Sequence, residues 1–275
     1  MAGVLANRTI VMSGGSRGIG LAIALRAARD GANVVLLAKT GTPHPKLDGT
    51  VHTAAEQIEA AGGKALPVVG DVREEKDVRS AVDQAVERFG GIDVVVNNAS
   101  AIDLSGTEQL DMKRYDLMQD INTRGTFLLS KTALPHLRSG TNPHILTLSP
   151  PLNLAPHWIG KHIGYTLAKY GMSLCTVGLA EELAGDGIAA NSLWPRTLID
   201  TAAVRNVVGG ADRARTPEIV ADAAHAILTR PSRECTGNHF IDDEVLATEG
   251  VTDLSPYRPT GATGPLEQDI FLDPA

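Results

Sequence analysis

The chain has 275 residues, of which 43% are hydrophobic, and is long enough for one large domain or two small ones. Its net charge of −7 provides no basic surface for nucleic acid, and no apolar run approaches the ~20 residues of a membrane span. The N-terminus has no signal-peptide core and Cys175 and Cys235 fit a reducing compartment, so we expect a soluble cytoplasmic protein without a metal site.

Apolar runs alternate with helix-like stretches along the whole chain. Strands are predicted at Thr9 to Met12, Val34 to Leu37, Ala65 to Val69, Ile92 to Val96, Ile145 to Leu148, Ile188 to Leu193 and His239 to Ile241. Helices are predicted at Gly18 to Arg29, Thr53 to Ala61, Glu74 to Phe89, Lys113 to Arg138 and Lys161 to Leu183, and from Thr216-Pro217-Glu218, where the Thr216 hydroxyl is the expected cap. This alternation predicts an α/β fold, a doubly wound Rossmann fold with a seven-stranded parallel sheet and helices on both faces.

The chain is predicted to hold one domain, residues 1–250, followed by a tail or arm, residues 251–275. The tail is rich in Pro, Gly and Asp, with Ile270, Phe271 and Leu272 near its end. We expect either a disordered tail or an arm that docks these three apolar residues on a neighbouring subunit.

A glycine-rich turn follows the first predicted strand and reads Ser13-Gly14-Gly15-Ser16-Arg17-Gly18-Ile19-Gly20. Glycines at positions 14, 18 and 20 allow a tight turn and let the backbone approach a pyrophosphate at the start of the next helix. The segment can be a plain turn, but its place after the first strand of an alternating chain favours a dinucleotide site.

The end of the second predicted strand selects between NAD(H) and NADP(H). An acid there binds the ribose 2′-hydroxyl of NAD, but this chain has Ala38 and Lys39. Arg17 adds a second positive charge, and both cations suit a 2′-phosphate. We therefore predict a preference for NADP(H), although either cation can also be an ordinary solvated charge.

Two further strand ends are predicted to contact the same cofactor. Asp71-Val72 closes the third predicted strand, where a carboxylate can accept a hydrogen bond from the adenine amine. Asn98 and Ala99 follow the fourth, where small residues allow the cofactor to lie close.

Tyr165 and Lys169 are four residues apart, so in a helix their side chains share one face. A lysine charge beside a phenol favours the phenolate and lowers the tyrosine pKa. A phenol tuned in this way can exchange a proton with a substrate oxygen. Such a pair is weak evidence alone, but it follows the glycine turn by about 150 residues and the two together are a strong signal.

With these motifs in this order, residues 8 to 242 resemble the short-chain dehydrogenase/reductase family. The resemblance implies an oxidoreductase in which Tyr165 is the general acid/base and Lys169 lowers its pKa and binds the nicotinamide ribose. It further implies that Asn122 interrupts its helix and holds a water for proton relay, and that Thr201 contacts the nicotinamide carboxamide. A homodimer or homotetramer is also implied. Animal members of the resembled group carry a sterol-carrier domain, which we do not expect in this chain.

The chain departs from the family pattern at the serine that steadies the substrate oxygen. Leu152 stands 13 residues before the tyrosine, where the serine is usual, and Pro150 stands in the usual strand-end position. Ser149 is the remaining candidate, and Asn153 or His162 would replace it if it is not used.

The loop before Tyr165 is expected to border the substrate pocket. Its prolines and leucines suggest an apolar pocket and a lipophilic substrate, while Trp158 can line the pocket or pack beside it. Residues 204–215 are read as a mobile lid or as a plain connection. Arg196, where the family usually has glycine, can bind a substrate anion or lie on the surface.

The residues and the family resemblance together predict an NADP(H)-dependent enzyme that interconverts a lipophilic alcohol and its ketone or aldehyde, with Tyr165, Lys169, Asn122 and Ser149 as catalytic residues. Enoyl reduction is disfavoured by the short Tyr-x-x-x-Lys spacing. The alternative from another class is a catalytically weak dinucleotide-binding sensor or scaffold.

Overall fold

The computed structural model describes residues 3–43, 48–202, 204–205 and 209–273. In these residues seven parallel strands form one sheet, in the order β3-β2-β1-β4-β5-β6-β7. The strands are β1 (Thr9–Ser13), β2 (Asn33–Ala38), β3 (Lys64–Val69), β4 (Val94–Asn97), β5 (His144–Thr147), β6 (Ala189–Trp194) and β7 (His239–Ile241). The predicted doubly wound Rossmann fold is confirmed.

Nine α-helices surround the sheet in the described residues. They are α1 (Gly18–Ala28), α2 (Val51–Ala60), α3 (Glu75–Phe89), α4 (Met112–Met118), α5 (Gly125–Leu137), α6 (Pro156–Lys161), α7 (Ile163–Glu182), α8 (Glu218–Thr229) and α9 (Asp242–Thr248). None of the helices in these residues is long and apolar enough to cross a membrane.

Successive residues of each strand point to opposite faces of the sheet, and this alternation builds two cores. Ile10 and Met12 of β1 pack with α1, α2 and α8, whereas Val11 packs with α3, α5 and α7. All three are fully buried, and burying one such side chain contributes about 1.5–3 kcal/mol. Apolar residues on both faces of β1 therefore fix the sheet at the centre of the fold.

The long helix predicted from Lys113 to Arg138 is interrupted. Between α4 and α5 lies a π-helical turn, Gln119–Arg124, which contains the buried Asn122. The Asn122 side chain accepts a hydrogen bond from the Ala101 nitrogen at 2.7 Å and donates one to the Ala101 oxygen at 3.1 Å. The π-helical turn thus accommodates one extra residue in the helix at the point where the Asn122 side chain binds the loop after β4.

Two other helix boundaries differ from prediction. The helix predicted from Lys161 to Leu183 is broken at His162, whose φ of −145° and ψ of 58° are not helical. Helix α8 begins at Glu218 with Pro217 as its flanking residue, so Thr216 lies one position too early and its hydroxyl makes no cap bond. Helix α9 was not predicted, although its first turn, Asp242–Glu244, is acidic and suits a helix N-terminus.

Residues 268–273, called the C-terminal segment below, pack against the chain's own domain. Phe271 is only 1% exposed and lies among the rings of Trp158, Tyr165, Tyr170 and Trp194, with centroids 5.2–6.3 Å apart. Neither sequence-based expectation for this region, disorder or docking on a neighbouring subunit, describes this contact. The reason is that an apolar run near the end of a chain does not show which surface will receive it.

Replacing Phe271 by alanine should destabilise the fold, because it leaves a cavity among four aromatic rings. We expect Phe271→Ala to lower the free energy of unfolding by about 3–5 kcal/mol. Chemical denaturation measures this value. Met112→Ala, at a side chain 63% exposed, is the control and should change it by under about 0.5 kcal/mol. Equal stability of the two variants would contradict the packing described.

Candidate functional site

The sheet order reverses direction at β1 and β4, and a crevice opens beyond the carboxyl ends of these strands. Asn98 joins the two strand ends, because its side-chain nitrogen donates to the oxygens of Ser13 at 3.2 Å and Gly14 at 2.8 Å. The Ser13 hydroxyl in turn accepts hydrogen bonds from the nitrogens of Asn98 and Ala99. These bonds hold the glycine turn against β4.

The glycines of this turn are required by space and by backbone conformation. Gly14 and Gly18 have φ values of +75° and +57°, a region that side chains disfavour. A Cβ on Gly20 would stand 2.5 Å from the Asn98 side-chain nitrogen and 2.8 Å from the Gly14 oxygen. The sequence pattern therefore corresponds to a turn packed too closely for larger residues, with the start of α1 facing the crevice.

A cleft of about 570 Å³ runs along this crevice. Of the sequence-predicted cofactor residues it is lined by Gly14, Ser16, Arg17, Gly18, Ile19, Lys39, Asp71, Val72, Asn98, Ala99 and Thr201. Gly20 lies behind the lining and supports it. The cleft fits a dinucleotide, because the glycine turn leaves its backbone open to a pyrophosphate. A Cβ at Gly14 or Gly20 would contact Asn98 instead of leaving this space.

The charges of the cleft are arranged around Lys39. Its side chain is 57% exposed, and its nitrogen is 3.6 Å from the Asp71 carboxylate. Burial opposes the charge of Asp71, but hydrogen bonds from Arg73 and the charge of Lys39 hold the pKa of this carboxyl below its usual range. Arg17 donates to the backbone oxygens of Asp48 and Gly49. The one acid of the lining is thus ion-paired, and both predicted cations border the cleft.

A second cavity, of about 190 Å³, meets the cleft at four shared residues, Ile19, Asn98, Ser100 and Thr201. We call it the inner cavity. Its wall is mostly apolar and includes Ile102, Leu104, Leu148, Trp194, Pro195, Leu198, Ile199 and Ile270. Tyr165, Lys169 and Asp269 also face it. A ligand in the inner cavity would therefore lie beside one end of a ligand in the cleft.

Tyr165 and Lys169 lie one turn apart on α7, as predicted. Burial, and then the negative charge of Asp269, raises the Tyr165 pKa above its ordinary value, against a hydrogen bond with the Ser100 side chain. Burial removes water from the phenol and sets the direction of this shift. That Lys169 lowers the Tyr165 pKa stays a prediction.

Lys169 is 3% exposed, and its ammonium group makes a hydrogen bond and a cation–π contact. Its nitrogen donates to the Leu148 oxygen at 2.8 Å and lies 5.2 Å from the centroid of the Trp194 ring. Burial lowers the Lys169 pKa to about 7, while the charge of Asp269 acts in the opposite direction. The charge of this lysine therefore depends on its partners near neutral pH.

Ser149 and Asn122 do not line either cavity. Ser149 is fully buried and its hydroxyl has no hydrogen-bond partner among the described residues. The strand end after β5 thus turns the serine away from the inner cavity. Asn122 lies behind the cavity wall, where it holds Ala101.

The remaining loop candidates have structural partners. Arg196 pairs with Asp243 and Glu244, so its charge is already used in an ion pair that the sequence did not suggest. The Trp158 ring nitrogen donates to the Asp273 carboxylate at 2.9 Å, and the Asn153 side chain donates to the same group at 2.8 Å. The loop before Tyr165 therefore receives the C-terminal segment.

The predicted lid, residues 204–215, lies partly outside the described residues. Arg213, in the described part of the lid, forms an ion pair at 2.9 Å with Glu267, the residue before the C-terminal segment. The Glu267 nitrogen also donates to the Arg213 oxygen at 2.9 Å.

Sequence reasoning missed Asp269, which faces the inner cavity. The segment Asn97-Asn98-Ala99-Ser100 was expected to let the cofactor lie close, but the place of Ser100 in the wall of the inner cavity was not foreseen. Asp269 precedes the apolar run Ile270 to Leu272 in a polar tail, and only the docking of that run brings it to the site.

Comparisons with known proteins agree with this geometry. A family model described as short chain dehydrogenase matches residues 8–210. Hydroxysteroid dehydrogenase-like protein 2 of Danio rerio is 57% identical over 274 residues, which cover 98% of this chain and 65% of the relative. Thus the chain spans only about two-thirds of this curated relative's length.

Two crystal structures are similar over nearly their whole length. A protein from Xanthomonas campestris has a TM-score of 0.96 and 55% identity, with 98% of this chain and 99% of that chain covered. A short chain dehydrogenase from Mycobacterium thermoresistibile has a TM-score of 0.92 and 53% identity, with 98% and 96% covered.

A methyl group at residue 20 should disturb the cleft through Asn98. We expect Gly20→Ala to weaken NADPH binding at least about tenfold. The new methyl group would be too close to the Asn98 side chain and the Gly14 oxygen, so the hydrogen bonds between Asn98 and the glycine turn would have to shift. A fluorescence titration measures the Kd. Gly178→Ala is the matched control, because a Cβ there meets nothing within 4 Å. If both variants bind NADPH like the wild type, the close contact is not important for the cleft.

Proposed function

Because the chain belongs to the short chain dehydrogenase family, we propose that it is an NADP(H)-dependent oxidoreductase that interconverts a lipophilic alcohol and its ketone or aldehyde. The observation that carries the proposal is the position of Tyr165 and Lys169. Both face an apolar cavity that joins the dinucleotide-shaped cleft at its inner end.

The residues of the inner cavity suit proton transfer to a carbonyl oxygen. A bound NADP(H) would supply or accept the hydride. Tyr165 has a pKa above its ordinary value, so it is a neutral phenol at pH 7 and holds the proton needed for reduction. Burial lowers the Lys169 pKa, and in its charged form Lys169 supports a developing negative charge on the phenol or the substrate oxygen.

Asn122 supports the same reaction from behind the wall. The π-helical turn around it removes regular helical pairing next to α7, and the Thr123 hydroxyl donates to the Ala168 oxygen at 3.0 Å. We assign this region the role of proton relay between Lys169 and solvent. Thr201, which lines both cavities, is assigned to the nicotinamide end of the cofactor.

The preference for NADP(H) rests on Lys39. Its exposed ammonium borders the cleft after β2, where the chain has no acid, and the nearby Asp71 is neutralised by Arg73. A 2′-phosphate would find a positive charge here rather than a free carboxylate.

Two assignments from the sequence stay predictions. A homodimer or homotetramer is supported by exposed apolar side chains on α7, namely Leu167, Leu174 and Val177. A cytoplasmic location is supported by the two free cysteines.

The second candidate function, a dinucleotide-binding sensor or scaffold with little turnover, is favoured by one observation. The Ser149 hydroxyl is buried away from the inner cavity, so the substrate oxygen lacks the donor that the family normally provides.

Removal of the Tyr165 hydroxyl distinguishes the two functions. With a panel of lipophilic aldehydes and ketones, we expect wild-type protein to oxidise NADPH and Tyr165→Phe to lose about 10²–10⁴-fold in kcat. The Kd for NADPH should stay unchanged, which controls for folding. Tight NADPH binding with no turnover by either protein would instead support the sensor or scaffold.

Removal of the Lys39 charge tests the cofactor preference. We expect Lys39→Ala to weaken NADPH binding about tenfold and to leave NADH binding nearly unchanged, because only NADPH carries the 2′-phosphate. Competitive titration of both cofactors measures the ratio. Lys76→Ala on α3 is the matched control. Wild-type protein that binds NADH as tightly as NADPH would refute the preference.

A further inference from the structure

The C-terminal segment, residues 268–273, lies beside the loop that follows β6 and is held there by backbone pairing. Gln268 forms an antiparallel bridge with Thr197, and the Asp269 nitrogen donates to the Arg196 oxygen at 3.0 Å. Backbone pairing fixes a chain more firmly than side-chain contact alone, so the position of Asp269 is determined on its N-terminal side.

Phe271 fixes the segment on the other side. Its ring is stacked on that of Tyr165, with centroids 6.2 Å apart and planes at 23°. Its backbone has a φ of +71°, a conformation that costs about 1–3 kcal/mol for a residue with a side chain. Such a conformation persists only where surrounding contacts determine it, which here are the aromatic rings and the hydrogen bonds to Asp273.

Between these two anchors, Asp269 faces the inner cavity with Tyr165 and Lys169. One carboxyl oxygen accepts from the Ile270 nitrogen at 2.7 Å. The charges that face Asp269 are those of Asp242, Glu267 and Lys169. Burial raises the Asp269 pKa to about 7, and Asp242 and Glu267 add to this effect while the Ile270 bond and Lys169 oppose it.

A polar side chain at this position can hydrogen-bond the substrate oxygen, a role that the residues after β5 do not fill. Ser149 is turned away, and Pro150 and Leu152 have no hydrogen-bonding side chain. Asn98, Lys169 and Thr201 also line the cavity but already have other assignments, so the polar side chains of the described lining that remain as candidates are the Ser100 hydroxyl and the Asp269 carboxyl. A carboxylic acid kept neutral by an apolar site can donate a hydrogen bond to an oxyanion.

We propose that Asp269 is a catalytic residue of this enzyme, whose carboxyl hydrogen-bonds the reacting substrate oxygen beside Tyr165. The proposal rests on the proposed function and replaces the role predicted for Ser149. In reduction, the protonated carboxyl donates to the carbonyl oxygen while Tyr165 transfers its proton. In oxidation, the same protonated carboxyl donates to the alcohol oxygen while the Tyr165 phenolate takes up the hydroxyl proton. Asp269 keeps its own proton count in each step.

The test compares Asp269→Asn and Asp269→Ala with wild type in carbonyl reduction. We expect Asp269→Ala to lose about 100-fold in kcat, as for loss of one oxyanion donor, with an unchanged NADPH Kd. Asp269→Asn keeps a donor and should lose less. Wild-type kcat should fall as pH rises through about 7, since the Asp269 donor form and the Lys169 charge are both lost there. In Asp269→Asn only the Lys169 step should remain, and it should move to lower pH.

Two variants provide controls. Asp253→Asn changes an exposed carboxylate of the tail that lines neither cavity. It should leave kcat within about threefold, so a loss as large as that of Asp269→Ala would show a general effect of charge removal from the tail and overturn the proposal. Ser100→Ala tests the other candidate. If it alone removes turnover, Ser100 rather than Asp269 is the donor.

A readout without cofactor tests the charge contact. In ¹³C-labelled lysine NMR, assigned with Lys169→Met, the Lys169 titration should move to lower pH in Asp269→Asn, because the negative charge of Asp269 raises the Lys169 pKa. An unmoved titration overturns the proposal. So does a pH profile of kcat in Asp269→Asn that is the same as in wild type, because Asp269 would then contribute nothing to it.

Failure of the proposed function gives a different result. Wild-type protein that binds NADPH but reduces no member of the carbonyl panel overturns the proposed function and the catalytic role together. Active wild-type protein whose Asp269→Ala variant keeps kcat within about threefold overturns the role of Asp269 alone.

Discussion

Asn98 clamps the end of β4 to the glycine turn after β1, and the geometry of both cavities depends on it. Its side chain occupies two backbone oxygens, and the Ser13 hydroxyl occupies two backbone nitrogens in return. These groups would otherwise be unpaired at the strand ends, at a cost of about 1–3 kcal/mol each. The glycines at 14 and 20 are small because this clamp lies against them.

The inner cavity is governed by a second constraint, the removal of water around three ionisable groups. Burial favours the uncharged form of Tyr165, Lys169 and Asp269, and the charge of Asp269 acts on both of the other groups while that of Lys169 acts on Asp269. Their protonation states are therefore coupled, and apparent pKa values belong to the group rather than to one residue. A ligand that changes the water content of the cavity would shift all three.

Local patterns made the fold and the cleft predictable. The strand and helix alternation, the glycine turn and the Tyr165–Lys169 spacing each need only a few consecutive residues, and the structure places them as expected. Contacts between distant residues were not predictable. The resemblance implied an interrupted helix at Asn122 but not the contact with Ala101 that accompanies it, and the high Tyr165 pKa depends on burial and on Asp269, which lies 104 residues later.

The Phe271 anchor has a consequence for the order in which the molecule matures. The glycine turn is synthesised before strands β2 to β7, whereas Asp269 and Phe271 are synthesised after them. A nascent chain can therefore shape its cleft while one wall of the inner cavity is still missing. The nascent chain can therefore bind a cofactor before it can enclose a substrate. The time needed to synthesise residues 242–273 separates the two events.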